Sequence, residues 1–349
     1  MSNRSVRTVC SLSVCFALVA PLVASCAHDD DAPAPPAAEL LAPPPSGQGF
    51  QLGTPTFAVA PGSEVQNCYF FEVPSDTELF VDRVTLAQEP GSHHFNVFRV
   101  NTVKNLGVGA KDGTIVEGGE CWKSGNWSDW ALVINSQQSE AGNNVIDWKL
   151  PEGVAHKFKA HELLMLQSHY VNATTQTTPG AGRALVNFWK ADPAKVTAEL
   201  GTVFTTNQNI KICPGDVDKT FTATCKFARS DLTIVGANGH FHSRGTKFTI
   251  STWDAVSGAA SEPFYTSTQW DDPPFVRDAH IALGPNGGVS YSCAFTAPPT
   301  ACANPDGGVP DGGKPGDECC YTFGPHVDQN EHCNAFIYYY PKQADINCF

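Results

Sequence analysis

The chain has 349 residues and is acidic, with 22 lysine and arginine residues against 35 aspartate and glutamate residues and a formal net charge of −13. This charge excludes binding to nucleic acid through the neutralisation of phosphates. After the N-terminal segment no apolar run is long enough to be a membrane span. The length of the rest of the chain predicts two domains of ordinary size.

The first 25 residues have the pattern of an export signal. Arg4 and Arg7 form a basic start, and the apolar stretch 9–22 is too short to span a bilayer. The stretch ends in Val-Ala-Ser-Cys at 23–26, which resembles the lipobox of bacterial lipoproteins. We therefore expect Cys26 to be lipidated and the protein to be a membrane-anchored lipoprotein facing the periplasm or the cell surface. An ordinary secretory signal cleaved nearby is the alternative.

The rest of the chain predicts an all-β protein. Residues 26–50 are rich in proline, alanine and aspartate, and we expect them to form a disordered tether. Beyond them, short alternating or β-branched runs such as 78–85 and 248–253 are separated by glycine, proline and asparagine. No long stretch has a helical apolar period. The pattern favours two tandem jelly-roll-like β-sandwich domains, at 51–195 and 196–349.

Cysteine usage indicates disulfides. Ten of the 13 cysteines remain once Cys10, Cys15 and Cys26 are set aside with the signal and the lipidation site. An even number in an exported chain is typical of disulfide pairing, and the lack of a CxxC pair argues against a thiolate zinc site. Cys319 and Cys320 are adjacent, so we expect them to have separate partners.

Six histidines form two groups of three, and these groups predict metal binding. They are His93, His94 and His169 in one half and His240, His242 and His332 in the other. Three imidazoles with room for a further ligand are how proteins hold copper or catalytic zinc. His240 and His242 alternate along a strand and point to one side. His93 and His94 can converge only where the strand is irregular, and His169, taken alone, fits a core position equally well.

The order of these residues carries a resemblance to a known family. The segments 68–74 (CYFFEVP), His93-His94 and 166–170 (LQSHY) come first, followed by Cys225, the His240/His242 pair, 291–295 (YSCAF) and 331–334 (EHCN). Over residues 60–349 the chain resembles the copper type II, ascorbate-dependent monooxygenases, which include peptidylglycine α-hydroxylating monooxygenase and dopamine β-monooxygenase. The resemblance implies two copper ions per chain, with ascorbate or an equivalent reductant as co-substrate.

The resemblance also implies a role for each histidine. His93, His94 and His169 match the first-domain copper, which transfers electrons. His240 and His242 match the second-domain copper, where oxygen is activated. At the position of His332 the family has a methionine ligand, and the mature chain has a single methionine, Met165. We expect His332 to complete the catalytic site. The alternatives are that His332 points away and leaves two ligands, or that His326 or, less favoured, His280 replaces it.

Two further sets of residues follow from the resemblance. The implied disulfides join Cys68 to Cys121 and Cys293 to Cys333, with Cys225 and Cys348 as a plausible third pair, which leaves Cys213, Cys302, Cys319 and Cys320 for two additional bridges. The residues at the family's substrate-binding positions are Asn238, Asn334 and Phe336. Asn238 replaces an arginine that binds the peptide carboxylate, so a glycine-extended peptide is a poor substrate candidate.

The leading hypothesis is therefore an exported copper monooxygenase acting on a small molecule with O2 and a one-electron donor. The alternative is a lipid-anchored copper-binding protein for sequestration or sensing, built on an altered monooxygenase scaffold, and the absent methionine is its main support. Zinc hydrolase chemistry is weaker because no HExxH-like motif supplies a general base.

Overall fold

The computed structural model describes residues 39–118, 129–137, 145–172, 180–299, 318–343 and 348. The predicted export signal and Cys26 lie outside these residues. Within them the regular structure consists of β-strands with short 3-10 segments such as Pro193–Lys195, so the all-β expectation is confirmed for this part of the chain. No helix in the described ranges has the length and apolarity needed to cross a membrane.

Residues 49–199 contribute thirteen of the strands. They are β1 (Gly49–Gly53), β2 (Phe57–Val59), β3 (Ser63–Glu72), β4 (Leu79–Gln88), β5 (Ser92–Arg99), β6 (Ile115–Glu117), β7 (Ala131–Ser136), β8 (Val145–Lys149), β9 (Val154–Phe158), β10 (Leu163–Asn172), β11 (Gly180–Gly182), β12 (Ala184–Lys190) and β13 (Ala198–Glu199). One sheet has the order β1-β12-β4-β9-β13 with β8 beside β4, and a second has the order β6-β3-β10-β5-β7. Val84 of the first sheet and Phe70 and Phe95 of the second share one core.

Residues 201–340 contribute the other eleven. They are β14 (Gly201–Thr206), β15 (Lys211–Ile212), β16 (Lys219–Lys226), β17 (Thr233–His240), β18 (Gly245–Asp254), β19 (Tyr265–Ser267), β20 (Val276–Ala282), β21 (Gly287–Phe295), β22 (Tyr321–Phe323), β23 (Asn330–Glu331) and β24 (Asn334–Tyr340). The sheets β14-β24-β17-β20 and β16-β21-β18-β19 enclose a second core that contains Ile234 and Ile250.

Two strands of the first block differ in how they are buried, and the difference locates the contact with the second block. In β8 only the alternate residues Ile146 and Trp148 are buried, as in a strand with one face in water. Every residue of β5 is buried. Both faces of the sheet that contains β5 are therefore covered, one by its own core and the other by the second block.

Aromatic and polar contacts join the two blocks. The rings of Phe98 and Phe204 lie 6.3 Å apart, and the Tyr338 hydroxyl accepts a hydrogen bond of 2.9 Å from the Asn135 backbone N–H. Phe336 lies on β24 of the second block but belongs to the core cluster of the first block. Residues 39–349 accordingly form one compact unit.

Three disulfides are formed among the described residues. They are Cys213–Cys320, Cys225–Cys348 and Cys293–Cys333, and the last two are the pairs that the resemblance implies. Cys68 and Cys319 are also disulfide-bonded, whereas Cys121 and Cys302 lie outside the described residues. This usage is typical of extracellular proteins.

Part of the predicted tether is packed against the first block. The Gln51 side chain donates to the Leu41 carbonyl, and Asn187 of β12 donates to the Ala42 carbonyl. Pro44 is buried. The segment predicted as a tether to residue 50 is thus held on the sheet from Leu41 onward, because backbone carbonyls of this segment accept hydrogen bonds from amide side chains of the sheet.

Candidate metal centre

The contact between the two blocks has three layers, which follow from strand register. Directly opposed residues in neighbouring antiparallel strands share a face. In the first block these pairs are Met165 with Phe98, Gln167 with Asn96 and His169 with His94, and in the second they are Phe204 with Phe336, Asn238 with Phe336 and His240 with Asn334. The sheets therefore meet through an aromatic layer, then an amide layer, then a layer of histidines at one end.

A β-bulge brings His93 into the histidine layer. His169 of β10 pairs with His94 of β5, but the next residue, Tyr170, pairs with Ser92, so His93 is the extra residue in the strand. Such a residue re-aims its side chain away from strict alternation. The irregularity that the adjacent pair required is present at this position, and the rings of His93 and His94 lie 5.1 Å apart.

His242 is held beyond the end of its strand by a buried carboxylate. β17 ends at His240, and the backbone N–H of His242 donates to Glu331 at 3.0 Å. The His242 Nδ1–H donates to the Asn330 carbonyl at 2.9 Å, which leaves Nε2 as the nitrogen with an available lone pair. Local side-chain contacts, rather than the sheet ladder, fix this histidine.

All six predicted ligands meet in one continuous cluster. Two sets of three have ligand nitrogens within 4.8 Å of one another, namely His93 with His94 and His169, and His93 with His240 and His242. His93 belongs to both. The prediction placed three histidines in each half as separate groups, and the structure instead brings the groups into contact because the two blocks pack face to face.

His332 lies beside the second set without being part of it. Its Nδ1 is 3.0 Å from Nε2 of His240, and its ring centroid is 4.3 Å from that of His242. The third member of that set is His93, contributed by the other block. His280 and His326 are exposed and belong to neither set.

Burial keeps the six imidazoles neutral, as metal ligation requires. Burial lowers the pKa of His93, His94, His240 and His332 well below the ordinary value, and it lowers the pKa of His242 to about 3. Burial also lowers the pKa of His169, although Glu64 opposes the change. Buried ring nitrogens of His93 (Nε2), His240 (Nδ1) and His242 (Nε2) have no hydrogen-bond partner among the described residues. Buried imidazole nitrogens without a hydrogen-bond partner fit a bound cation.

Two carboxylates stand behind the histidines. Glu64 of β3 contacts His169 Nε2 at 3.0 Å and also accepts from the Val327 N–H. Burial alone would raise the pKa of Glu64, but its hydrogen bond and charge interaction with His169 bring it below the ordinary value. Glu331 is fully buried and its Oε1 accepts from the backbone and side chain of Arg244. Burial raises the pKa of Glu331 to about 7 against the effect of Arg244. Neither carboxylate belongs to a histidine set.

The predicted substrate-binding residues lie in the buried layers. Asn238 donates to Asn135, and Phe336 stacks on Phe204 with ring centroids 5.1 Å apart. Asn334 lines a cavity of about 10 Å³ between the blocks, beside His94 and His240. This volume suits a single water molecule and is too small for an organic substrate.

Several residues of the site were not singled out in the sequence. They are Glu64, Asn96, Asn135, Gln167 and Glu331. Gln167 carried a usable signal, because it precedes His169 by two and must share its face in a strand. Glu331 is adjacent to His332, but nothing in its spacing shows that it holds His242. The partly buried Trp270, whose ring centroid is 6.0 Å from that of His93, closes one side of the cluster.

No protein-family model matches the chain, and no curated protein matches it in sequence. Some solved structures resemble it distantly. The STIV MCP is 10% identical over 71% of this chain and 96% of that chain, with a TM-score of 0.27. The tandem CBM22-1–CBM22-2 domain of Paenibacillus barcinonensis Xyn10C is 10% identical over 85% and 87%, with a TM-score of 0.23. The PBSX exported protein XepA is 6% identical over 70% and 86%, with a TM-score of 0.21. Similarities this low carry no argument about fold or function.

Proposed function

We propose that this chain is a copper-dependent monooxygenase that hydroxylates a C–H bond of a small molecule, using O2 and a one-electron donor such as ascorbate. The observation that supports a metal enzyme is the cluster of six buried, neutral imidazoles, five of which form two sets of three that share His93, with His332 beside the second set. The resemblance in sequence supplies the metal and the reaction.

The donor set is compatible with copper. Imidazole binds copper, zinc, iron and nickel, and neither histidine set contains a carboxylate or a thiolate. Zinc hydrolases need a general base near the metal-bound water. Glu331 and Glu64 are both engaged in holding backbone N–H groups or His169, which makes the hydrolase hypothesis weaker than the redox one.

Copper bound here would supply one-electron redox chemistry towards O2. The overall reaction balances as one C–H bond, O2, two electrons and two protons giving one C–OH group and one water. By the resemblance, His93, His94 and His169 would serve electron transfer, while His240, His242 and His332 would serve the oxygen-reacting metal. The surrounding residues exclude bulk water, since the six histidines are at most 5% exposed.

The experiment that tests this function is copper-dependent O2 uptake with ascorbate, run after the copper content has been measured. We expect the protein to consume O2, and we expect His242→Ala to remove the activity because His242 offers an available Nε2. The exposed His161→Ala is the matched control and should behave as the unaltered protein. Intact activity in His242→Ala would contradict the proposed site.

One observation favours the alternative of a copper-binding protein for sequestration or sensing. The cavity beside His94 and His240, which Phe336 also lines, is only about 10 Å³, and Asn238 is buried against Asn135. A protein that binds copper but consumes no O2 with ascorbate supports this alternative. His332→Met then restores the sulfur ligand of the family, and a gain of O2 uptake would show that the natural chain has left the oxidative chemistry.

The location and domain architecture belong to the same proposal. We propose a membrane-anchored lipoprotein lipidated at Cys26, facing the periplasm or the cell surface, with two jelly-roll-like domains. The disulfides support the exported location. The lipid anchor is tested by incorporation of a radioactive fatty acid, which should be lost in Cys26→Ala.

A further inference from the structure

We infer that the six histidines form one coupled metal centre, in which His93 is shared, and not two independent metal sites. This inference rests on the metal binding in the proposed function but not on the oxidative reaction. It concerns how the two sites influence each other, which the resemblance, with one site assigned to each domain, leaves unaddressed.

The ring positions describe a strip of touching triangles. The three centroid distances within the set His93, His94 and His169 are 5.1, 4.9 and 5.1 Å. Within the set His93, His240 and His242 they are 4.9, 5.2 and 5.1 Å. The triangle between them, His93, His94 and His240, has sides of 5.1, 4.9 and 5.0 Å. The spacing inside a set is therefore no smaller than the spacing between the sets.

The shared residue couples the filling of the two sets. Each set needs one nitrogen of His93 to reach three ligands, and that ring sits on a bulge fixed by the pairing of β5 with β10. A metal ion in one set orients the His93 ring and engages a nitrogen. The second ion must then use the other nitrogen of the same ring, or replace His93 with the neighbouring His332, whose Nδ1 lies 3.0 Å from His240 Nε2.

The surroundings strengthen the coupling. His93, His94 and His240 are 5%, 3% and 1% exposed, and the layer beneath them is made of uncharged amides. Charges in such an interior are weakly screened. Two cations held by adjacent sets therefore repel each other, and binding of the second is weaker than binding of the first.

The test is a titration of the metal-free protein with Cu(II) against a competing chelator, with electron paramagnetic resonance recorded at each step. Four variants are compared: His93→Gln, His94→Gln, His242→Gln and the exposed control His161→Gln. Thermal unfolding of each variant without metal shows that it is folded. Ascorbate-dependent O2 uptake is measured separately on the same preparations.

We expect His93→Gln to weaken both binding steps by about 10-fold or more, a loss typical of altered metal surroundings. His94→Gln and His242→Gln should each weaken mainly one step. In the unaltered protein, two bound Cu(II) ions should give fewer than two spins, because neighbouring ions couple. Two equal, non-interacting sites with full spin count, or a His93→Gln variant that loses only one, would overturn the inference. Coupled binding without O2 uptake would overturn only the proposed oxidative function, whereas O2 uptake with independent sites would overturn only the coupling.

Discussion

The two histidine sets sharing His93 are built in different ways. His94 and His169 lie opposite each other inside neighbouring strands, so the hydrogen-bond ladder of the sheet fixes both backbones. His240 is the last residue of β17 and His242 lies beyond it, where Glu331 and Asn330 hold it. The first set is positioned by the sheet, and the second depends on a buried carboxylate.

This contrast separates two sources of rigidity. A ladder is distributed over many backbone hydrogen bonds, so the loss of one side-chain contact should leave His94 and His169 in place. Glu331 receives hydrogen bonds from His242 N–H, Arg244 N–H and the Arg244 guanidinium at a single point. The second set should therefore be the more sensitive to single substitutions outside the ligands.

Replacement of Glu331 should have the largest effect, and it tests whether the second histidine set depends on this carboxylate. Glu331→Leu leaves Arg244 and two backbone N–H groups without their buried acceptor, and the free energy of unfolding should fall by about 3–5 kcal/mol. Chemical denaturation measures the loss. Copper titration should show a weakened second set and an unchanged first. Glu331→Gln, which keeps one acceptor oxygen, is the control, and its free energy of unfolding should lie between those of the unaltered protein and Glu331→Leu. A loss below about 1 kcal/mol in Glu331→Leu would contradict this role.

Acidification should cause a loss of stability of intermediate size through His156, a buried histidine outside the cluster. Burial lowers the pKa of His156 to about 3, below the ordinary value of 6.5. As pH falls below 6.5, His156 gains a proton in the unfolded chain but stays neutral in the folded protein. The free energy of unfolding therefore decreases steadily down to about pH 3. Between pH 6.5 and pH 5 this should cost about 2 kcal/mol.

The measurement is chemical denaturation of metal-free protein at pH 6.5 and pH 5. His156→Gln should reduce the pH dependence by this amount, whatever its effect at neutral pH. Copper should protect the cluster histidines from acid but leave the His156 contribution unchanged. Identical pH dependence in the variant and the unaltered protein would refute the assignment.

Replacement of Glu64 should have the smallest effect. Glu64→Gln keeps an acceptor for His169 but loses the negative charge and one of the two acceptors used by His169 and Val327. We expect copper affinity of the first set to fall by about 10-fold. Glu72→Gln at the far end of the same strand is the control. A fall as large as that caused by Glu331→Leu in the second set would remove the distinction between the sets.

The sequence predicted the ligands better than their arrangement. Alternation predicted that His240 and His242 point to one side; they do fall in one set, although His242 lies beyond the end of β17 and is held by Glu331 and Asn330. The adjacency of His93 and His94 required an irregular strand, which the bulge supplies. The sharing of His93 could not be predicted, because it depends on how two sheets pack that are distant in the sequence, and His93 and His240 are 147 residues apart. Local patterns contain no information about that packing.

The same limit explains the substrate-binding predictions. Alternating runs predicted the all-β fold because one-sided burial has a period of two. Asn238 and Phe336 are placed by resemblance at substrate positions, and this role stays a prediction; in the structure their side chains belong to the amide and aromatic layers between the blocks. Whether an outward-facing strand residue meets solvent or another sheet is decided by tertiary packing alone.

The sequence span of the histidine cluster determines when copper can bind relative to folding. Its members extend from residue 93 to residue 332, and the set containing His240 and His242 takes its third ligand from the other block. Neither a nascent chain nor an unfolded one holds that set. Copper can therefore be captured in full only after both blocks have folded and docked, so complete loading reports on a correctly assembled molecule.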